Sequence, residues 1–181
     1  MGDRTIGFST RGEYRQSHVA TLSENGHPEV RIRTATRADL LAIHRIERAT
    51  FDQPWPYSAF ERFLGEEGFL AATLNGAVVG YVVADLLSNY DRDIGHIKDL
   101  AVHPDAQGRG IGRTLLRRAL LELLVAGASA TKLEVRRDND PAKSLYYSEG
   151  FRPKRRVPGY YDDGADAILM VVDMNQWAHA D

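Results

Sequence analysis

The chain of 181 residues contains no cysteine, which removes disulfides, thiolate chemistry and cysteine-bound metal together and fits a reducing compartment. It also lacks an excess of charge of either sign. A formal net charge of −2 argues against bulk electrostatic attraction to nucleic acid or to a membrane, so any anionic ligand has to be held locally. No apolar run approaches the roughly 20 residues that span a bilayer. The N-terminus has neither the apolar core of a signal peptide nor the Ser or Thr of a myristoylation signal. These absences predict a cytoplasmic protein with no membrane or nucleic-acid partner. The six histidines show no metal-ligand spacing, so no metal is expected. What is present is ordinary for a globular protein: 43% hydrophobic and 27% charged residues, in a length that suits one domain with a sizeable core. Residues 1–29 are polar and end at Asn25-Gly26-His27-Pro28, which reads as a flexible or peripheral extension, leaving residues 30–177 as the folded domain.

The most informative stretch runs from Leu100 to Leu116. There the apolar strand end Leu100-Ala101-Val102 passes through His103-Pro104 and the turn Gln107-Gly108-Arg109-Gly110-Ile111-Gly112-Arg113 into an amphipathic helix. Alternating glycines let a backbone approach a ligand closely, and the first amides of a helix lack intrahelical partners and carry the positive end of its dipole. This is a phosphate-binding arrangement, to which Arg109 and Arg113 add formal charge. It is not the dinucleotide fingerprint, because the third residue after Gly110 is Arg113, and no Gly-Lys-Ser/Thr follows as a P-loop needs. On its own the segment also reads as a plain glycine-rich turn from strand to helix.

Around this loop the elements fall in a definite order. Val30 to Thr34 alternates as a strand, and Thr36-x-x-Asp39 opens a helix through about Ala49 with Leu40, Ile43, Ile46 and Glu47 on one face. The prolines of Phe51-Asp52-Gln53-Pro54-Trp55-Pro56 break the chain before a short helix from Tyr57 to Gly65. Phe69 to Leu74 and Val78 to Leu87 flank Asn75-Gly76, a strong hairpin signal. A strand from Ile94 to Val102, interrupted at Lys98-Asp99, then leads into the glycine loop and a helix stopped by Gly127. Thr131 to Arg136 is the next strand, Pro141 to Glu149 a helix, Phe151 to Val157 a strand and Ala167 to Met174 the last strand. A meander before the loop and crossovers after it predict a mixed α/β sheet.

In the second half, alternation places Lys132, Glu134 and Arg136 on one strand face and Leu133 with Val135 on the other. Glu134 can therefore look into a cleft, although a glutamate between two cations also reads as part of a surface charge ladder. On the following helix Ala142, Leu145, Tyr146 and Glu149 share a side, whereas Tyr147 is rotated away.

Taken together, these segments resemble the GNAT superfamily of N-acetyltransferases, and within it the RimI-type branch. The loop is similar to that family's Gln-x-x-Gly-x-Gly after a strand ending in Ala-Val-x-Pro. Leu133-Glu134-Val135-Arg136 followed by Asn139-x-x-Ala142-x-x-Leu145-Tyr146-x-x-x-Gly150-Phe151 resembles the branch's strand and helix motif. Phe51-x-x-Pro54-Trp55 and the ending Tyr160-Tyr161…Asp166-Ala167-x-x-Met170 complete a resemblance that covers about residues 30 to 174. It implies an α/β, single-domain GNAT (acyl-CoA N-acyltransferase) fold with a mixed, mostly antiparallel central sheet flanked by helices. Acetyl-CoA is the implied cosubstrate. The backbone of Leu100, Ala101 and Val102 would pair with the pantetheine arm, the amides of Gly108, Arg109, Gly110, Ile111, Gly112 and Arg113 would take the pyrophosphate, and Asn139 would contact the cofactor. Glu134 is implied as the general base, directly or through water, and Tyr146 as the acid that protonates the departing thiolate. Phe51, Trp55, Tyr160 and Tyr161 would border the acceptor groove while serving partly as structure. Lys132 stands where relatives often carry a bulky apolar residue.

The acceptor expected from this branch is a protein or peptide N-terminus, a ribosomal protein among them, with the enzyme a monomer or weak homodimer. Elementary acid–base chemistry agrees. An α-amine of pKa about 7.7–8.0 is neutral in roughly a tenth of molecules at pH 7, whereas a lysine near 10.4 is neutral in fewer than about a thousandth, a difference of about 3.5 kcal/mol for a weak base to overcome. Two other readings stay open on sequence alone: an acetyltransferase of a small amine or antibiotic, and a non-catalytic acyl-CoA-binding sensor. The sensor would need the loop but neither Glu134 nor Tyr146.

Overall fold

A computed structural model of the chain describes residues 30–88 and 92–180. The proposed extension at 1–29 lies outside the described residues. Strands β1 (Val30–Thr34), β2 (Phe69–Leu74), β3 (Ala77–Leu87), β4 (Ile94–Val102), β5 (Ala130–Arg136), β6 (Arg152–Val157) and β7 (Ala167–Asp173) form one seven-stranded sheet in the order β1-β2-β3-β4-β5-β7-β6. Helices α1 (Leu40–Thr50) and α2 (Tyr57–Glu61) pack on one face. The long helix α3 (Ile111–Val125) packs on the other, and α4 (Asp140–Ser148) and α5 (Met174–Ala178) complete the fold.

Each face follows from the two-residue period of the strands. Leu70, Ala72, Val82 and Ile97 point to the α3 side and meet Leu115, Leu116, Ala119 and Leu120, all fully buried. The intervening Phe69, Ala71, Tyr81 and Val83 point to the α1–α2 side and meet Leu40, Ile43, Ile46 and Phe60. β2 thus reads as a continuous apolar run because it is covered on both faces.

Local chemistry sets the ends of the elements. The β2–β3 turn has Asn75 at φ 51° and Gly76 at φ 81°, as a two-residue hairpin turn requires. Before α1 the carboxylate of Asp39 accepts from the Thr36 amide at 2.8 Å and hydroxyl at 2.9 Å, and Arg33 grips it from β1 at 2.6 and 2.8 Å. That grip, aided by Thr36 and opposed by burial, holds the Asp39 carboxyl down at about 2.

Two expectations are corrected. The short second helix ends at Glu61 rather than Gly65, its last turns being irregular. β4 is not broken at Lys98-Asp99. It carries a bulge there, with Val83 opposite Asp99 and Ala84 opposite Ile97, so that Lys98 is the extra residue. As expected, the chain after β5 makes a second crossover, with β5 and β6 running parallel on either side of β7. It passes over α4 to the edge strand β6, and β7 then inserts antiparallel between β6 and β5. Among the described strands, only β4 and β5 are parallel neighbours.

Candidate active site

The site begins where that parallel pairing ends. β4 and β5 are bonded through Ile94–Ile97 and Ala130–Leu133 alone. Past those residues β4 stays with β3 through Val102, and β5 stays with β7 through Arg136. A bulge adds twist and bends its strand, and the one at Lys98 sits at the point of divergence. The two strands open as a wedge whose inner edge on β4 is the backbone of Asp99–Val102, facing no strand among the described residues. An extended ligand can add to such an edge as a strand does. Leu100, Ala101 and Val102 lie there.

At the wide end of the wedge the chain turns into α3. Pro104–Ala106 forms a 3₁₀ turn, the Gln107 side-chain amide donates to the Val102 carbonyl at 2.9 Å, and Gly108 and Gly110 take φ 75° and 77°. Both glycines occupy the left-handed region that L side chains avoid. Gly110 caps α3, and the first helical bond runs from the Thr114 amide to the Gly110 carbonyl at 3.0 Å. The amides of Ile111, Gly112 and Arg113 therefore stand outside the helical ladder at its positive end. Gly112 is already helical, and a Cβ there would meet Leu145 and Val102 at 3.7 Å, an ordinary contact.

The two arginines of the loop behave differently from each other. Arg109 is exposed, with one long contact to the Asp105 carbonyl. The Arg113 guanidinium turns onto α4, where it meets Ser148 Oγ and Glu149 Oε1, each at 3.1 Å. Arg117 holds the other oxygen of the buried Glu149 at 2.7 Å. This clamp of α3 on α4 carried no signal in the sequence, and it leaves Arg109 as the exposed arginine of the loop.

At the vertex, the face of β5 that carries Lys132, Glu134 and Arg136 meets the matching face of β4. His96 pairs in register with Lys132, and its Nε2 comes within 2.6 Å of Glu134 Oε2. Lys132 Nζ lies 3.5 Å from the other carboxylate oxygen. Both His96 and Glu134 are largely buried, at 14% side-chain exposure. Burial pushes the Glu134 carboxyl up, but the His96 hydrogen bond and the charges of His96 and Lys132 outweigh it and hold the group below its usual range. Glu134 is thus a carboxylate paired with an imidazole, not a surface charge ladder. His96 was missed by sequence reasoning, because nothing local to Gly95-His96-Ile97 marks it. The strand register creates the pair.

Tyr146 is buried at 8% exposure in the core on the α3 side of the sheet, edge-on to Phe151 at 5.8 Å, whereas Tyr147 is 44% exposed, as the helical phase predicts. Burial, with the charges of Asp99 and Tyr161 behind it, raises the Tyr146 phenol well above its ordinary value. The Asn139 side-chain oxygen caps α4 by accepting from the Ala142 amide at 3.1 Å. Phe51 and Trp55 pack into the α1–α2 core, with Trp55 stacked on Phe63 at 6.0 Å. Tyr160 and Tyr161 meet edge to face at 5.1 Å, with the Arg136 guanidinium 4.9 Å from the Tyr161 ring. The charge of Glu134 helps raise both phenols, that of Tyr161 to about 12, behind burial as the larger cause. The structure brings Glu134, Tyr160 and Tyr161 to one side of the opening, and it makes Phe51 and Trp55 part of the wall's core.

Comparison with known proteins agrees with this geometry. The model of the GNAT acetyltransferase family matches residues 40–151. The chain is 39% identical over 146 residues to the N-alpha-acetyltransferase RimI of Mycobacterium tuberculosis, covering 78% of this chain and 90% of that protein. It is 37% identical over 154 residues to an N-alpha-acetyltransferase of Sulfolobus acidocaldarius, covering 79% and 92%. The crystal structure of the ribosomal-protein-S18-alanine N-acetyltransferase of Escherichia coli superposes with a TM-score of 0.70 at 31% identity, over 81% of this chain and 94% of that one. With a family model spanning more than half its length and relatives matched nearly end to end, the chain belongs to the GNAT family of acetyltransferases.

Proposed function

We propose that this acetyltransferase acetylates the α-amine of protein N-termini in the cytoplasm, by direct transfer from acetyl-CoA with both substrates bound. The observation that carries the reading is the His96–Glu134 pair at the vertex of the β4–β5 wedge, with Tyr146 buried in the core on the α3 side of the sheet. The unpaired β4 edge at Leu100–Val102 and the left-handed Gly108 and Gly110 before the free amides of Ile111–Arg113 fit an extended arm ending in phosphates. When bound, acetyl-CoA supplies an activated acetyl group and a thiolate leaving group.

The protein's own residues do the rest. Glu134, held ionised, orients the His96 ring, and the pair takes the proton from the incoming ammonium. As a class imidazoles are stronger bases than carboxylates, so the pair suits an α-amine better than Glu134 alone would. Tyr146 stays protonated across neutral pH and can donate to the departing sulfur. Asn139 holds α4, and with it Tyr146, in place against the wedge. Tyr160 and Tyr161 border the acceptor. Names among the relatives, N-alpha-acetyltransferase and ribosomal-protein-S18-alanine N-acetyltransferase, support this acceptor class.

The test is thiol release from acetyl-CoA with short peptides bearing free or blocked N-termini, alongside lysine-only peptides, spermidine and an aminoglycoside. Release confined to free N-termini is expected. Release with the small amines alone would move the activity to that acceptor class, and tight acetyl-CoA binding without release from any acceptor would indicate a sensor.

A further inference from the structure

One cluster of ionisable groups beside the wedge has no part in the chemistry above. On the α1–α2 face, the Tyr81 hydroxyl from β3 touches two carboxylates, making a very short contact with Glu47 of α1 and lying 2.8 Å from Asp99 of β4. The other Glu47 oxygen accepts from the Trp55 amide at 2.7 Å. Glu47 and Tyr81 are buried at 1% and 0% exposure, while Asp99 keeps part of its surface open.

The proton inventory of this trio is constrained. A phenol carries one proton and can donate to one partner. With its oxygen bonded to two carboxyl groups, the second contact is a hydrogen bond only if one carboxyl carries a proton of its own. The site is therefore two carboxyls sharing one extra proton. Burial, reinforced by the charge of Glu47, pushes the Asp99 carboxyl up to about 8, and burial likewise raises Glu47. No cation answers them in the trio. The adjacent Lys98 is committed to Asp85 at 3.1 Å and to the Phe63 ring. The groups facing the trio are His44 from α1, the Leu100 amide from β4, and Tyr146 from α4, whose phenol feels the Asp99 charge.

The position of Asp99 gives this proton a use. It lies two residues beyond Ile97, the last residue of β4 bonded to β5, and so at the start of the open edge. It projects to the face that carries His96 and Glu134, and its charge reaches Tyr146 of α4.

Taking the N-terminal acceptor reading as its basis, we propose that Asp99 is an acceptor-binding residue whose carboxyl receives the α-ammonium in the wedge and releases to solvent the proton it shares with Glu47. The neutral acid becomes a carboxylate, the ammonium gains a counter-charge, and one proton leaves. The His96–Glu134 pair then takes the amine proton in the reaction. A blocked N-terminus has no charge to offer and leaves Asp99 protonated, so the device favours free termini.

The experiment uses the full chain and the free-N-terminus peptide that gives the fastest thiol release. That peptide is titrated calorimetrically, at pH 7, into enzyme saturated with CoA in two buffers of different ionisation enthalpy. Wild type is expected to release close to one proton per peptide bound, and Asp99→Asn none. The carboxamide of this variant mimics the protonated acid toward Tyr81, so the fold should be kept. In steady state Asp99→Asn should raise KM for the peptide at least tenfold and leave KM for acetyl-CoA within twofold. Absence of proton release by wild type overturns the proposal whatever the variant does, and so does equal release by both proteins or an equal rise in both KM values. If wild type acetylates no free N-terminus, the N-terminal reading itself fails and this inference falls with it.

Discussion

Glu134 and His96 form a unit, and their substitution should show it. Glu134→Gln should lower kcat by roughly 10²-fold, the usual scale for loss of general-base assistance, with acetyl-CoA affinity retained in calorimetric titration. His96→Ala should cost a similar factor. Because the two side chains are bonded at 2.6 Å, the double variant should be little worse than either single one, a coupling that a double-mutant cycle on kcat reads directly. Additive losses would mean two independent roles. At this scale the sequence displays Glu134 and Tyr146 through strand alternation and helical phase. It does not display His96, whose partner is 38 residues away in the chain and adjacent only through the β4–β5 register.

Among the elements, the loop before α3 and the bulge in β4 frame the proposed cofactor site. Gly110 at φ 77° has nothing within 4 Å of an added Cβ, so a substitution there acts through backbone conformation alone. Gly110→Val should weaken acetyl-CoA binding by at least about tenfold, since a β-branched residue held at positive φ costs of order 1–3 kcal/mol and rotates the cradle amides. Titration with CoA checks it, and unchanged affinity would contradict the assignment of the loop. The spacing of the glycines marks the loop, while its role as a cofactor cradle is what the family resemblance implies. The bulge has no such signature. Lys98-Asp99 looks like a polar break in an apolar strand, and only pairing with β3 shows that the strand continues and bends.

For the molecule as a whole, acid stability should depend on the Arg33–Asp39 grip that ties β1 to the start of α1. The Asp39 carboxyl is held near 2 in the fold against an ordinary value of about 3.9 when unfolded. A lowered folded value stabilises above the unfolded one, and that contribution is lost as pH falls through the window from about 4 to about 2. The shift corresponds to somewhat over 2 kcal/mol, and exposure of the Arg33 side chain, at 46%, reduces the expected contribution to about 1–2 kcal/mol. Asp39→Asn should therefore unfold more easily than wild type in urea at pH 7, with the gap closing toward pH 2. A gap independent of pH would show that the hydrogen-bond geometry, not the charge, is what matters.

The amino-acid sequence by itself determined the elements, their order, the buried faces and the glycine loop before α3, because periodicity, turn residues and helix caps act over a few positions. The Asn75-Gly76 hairpin, the Thr36–Asp39 box and the burial of Tyr146 beside an exposed Tyr147 are all of this local kind. Tertiary structure alone decided which strands part and which groups meet where they do. The wedge exists because β4 bonds β5 for four residues and then follows β3, a competition between two neighbours that no single segment records. The imidazole–carboxylate pair, the clamp of Arg113 and Arg117 on Glu149, and the cluster of Glu47, Tyr81 and Asp99 arise likewise from contacts between groups 18 to 38 residues apart, brought into low-dielectric surroundings. At such distances along the chain the interaction is set by register and packing, which is why the charges that tune this site became legible only in the fold.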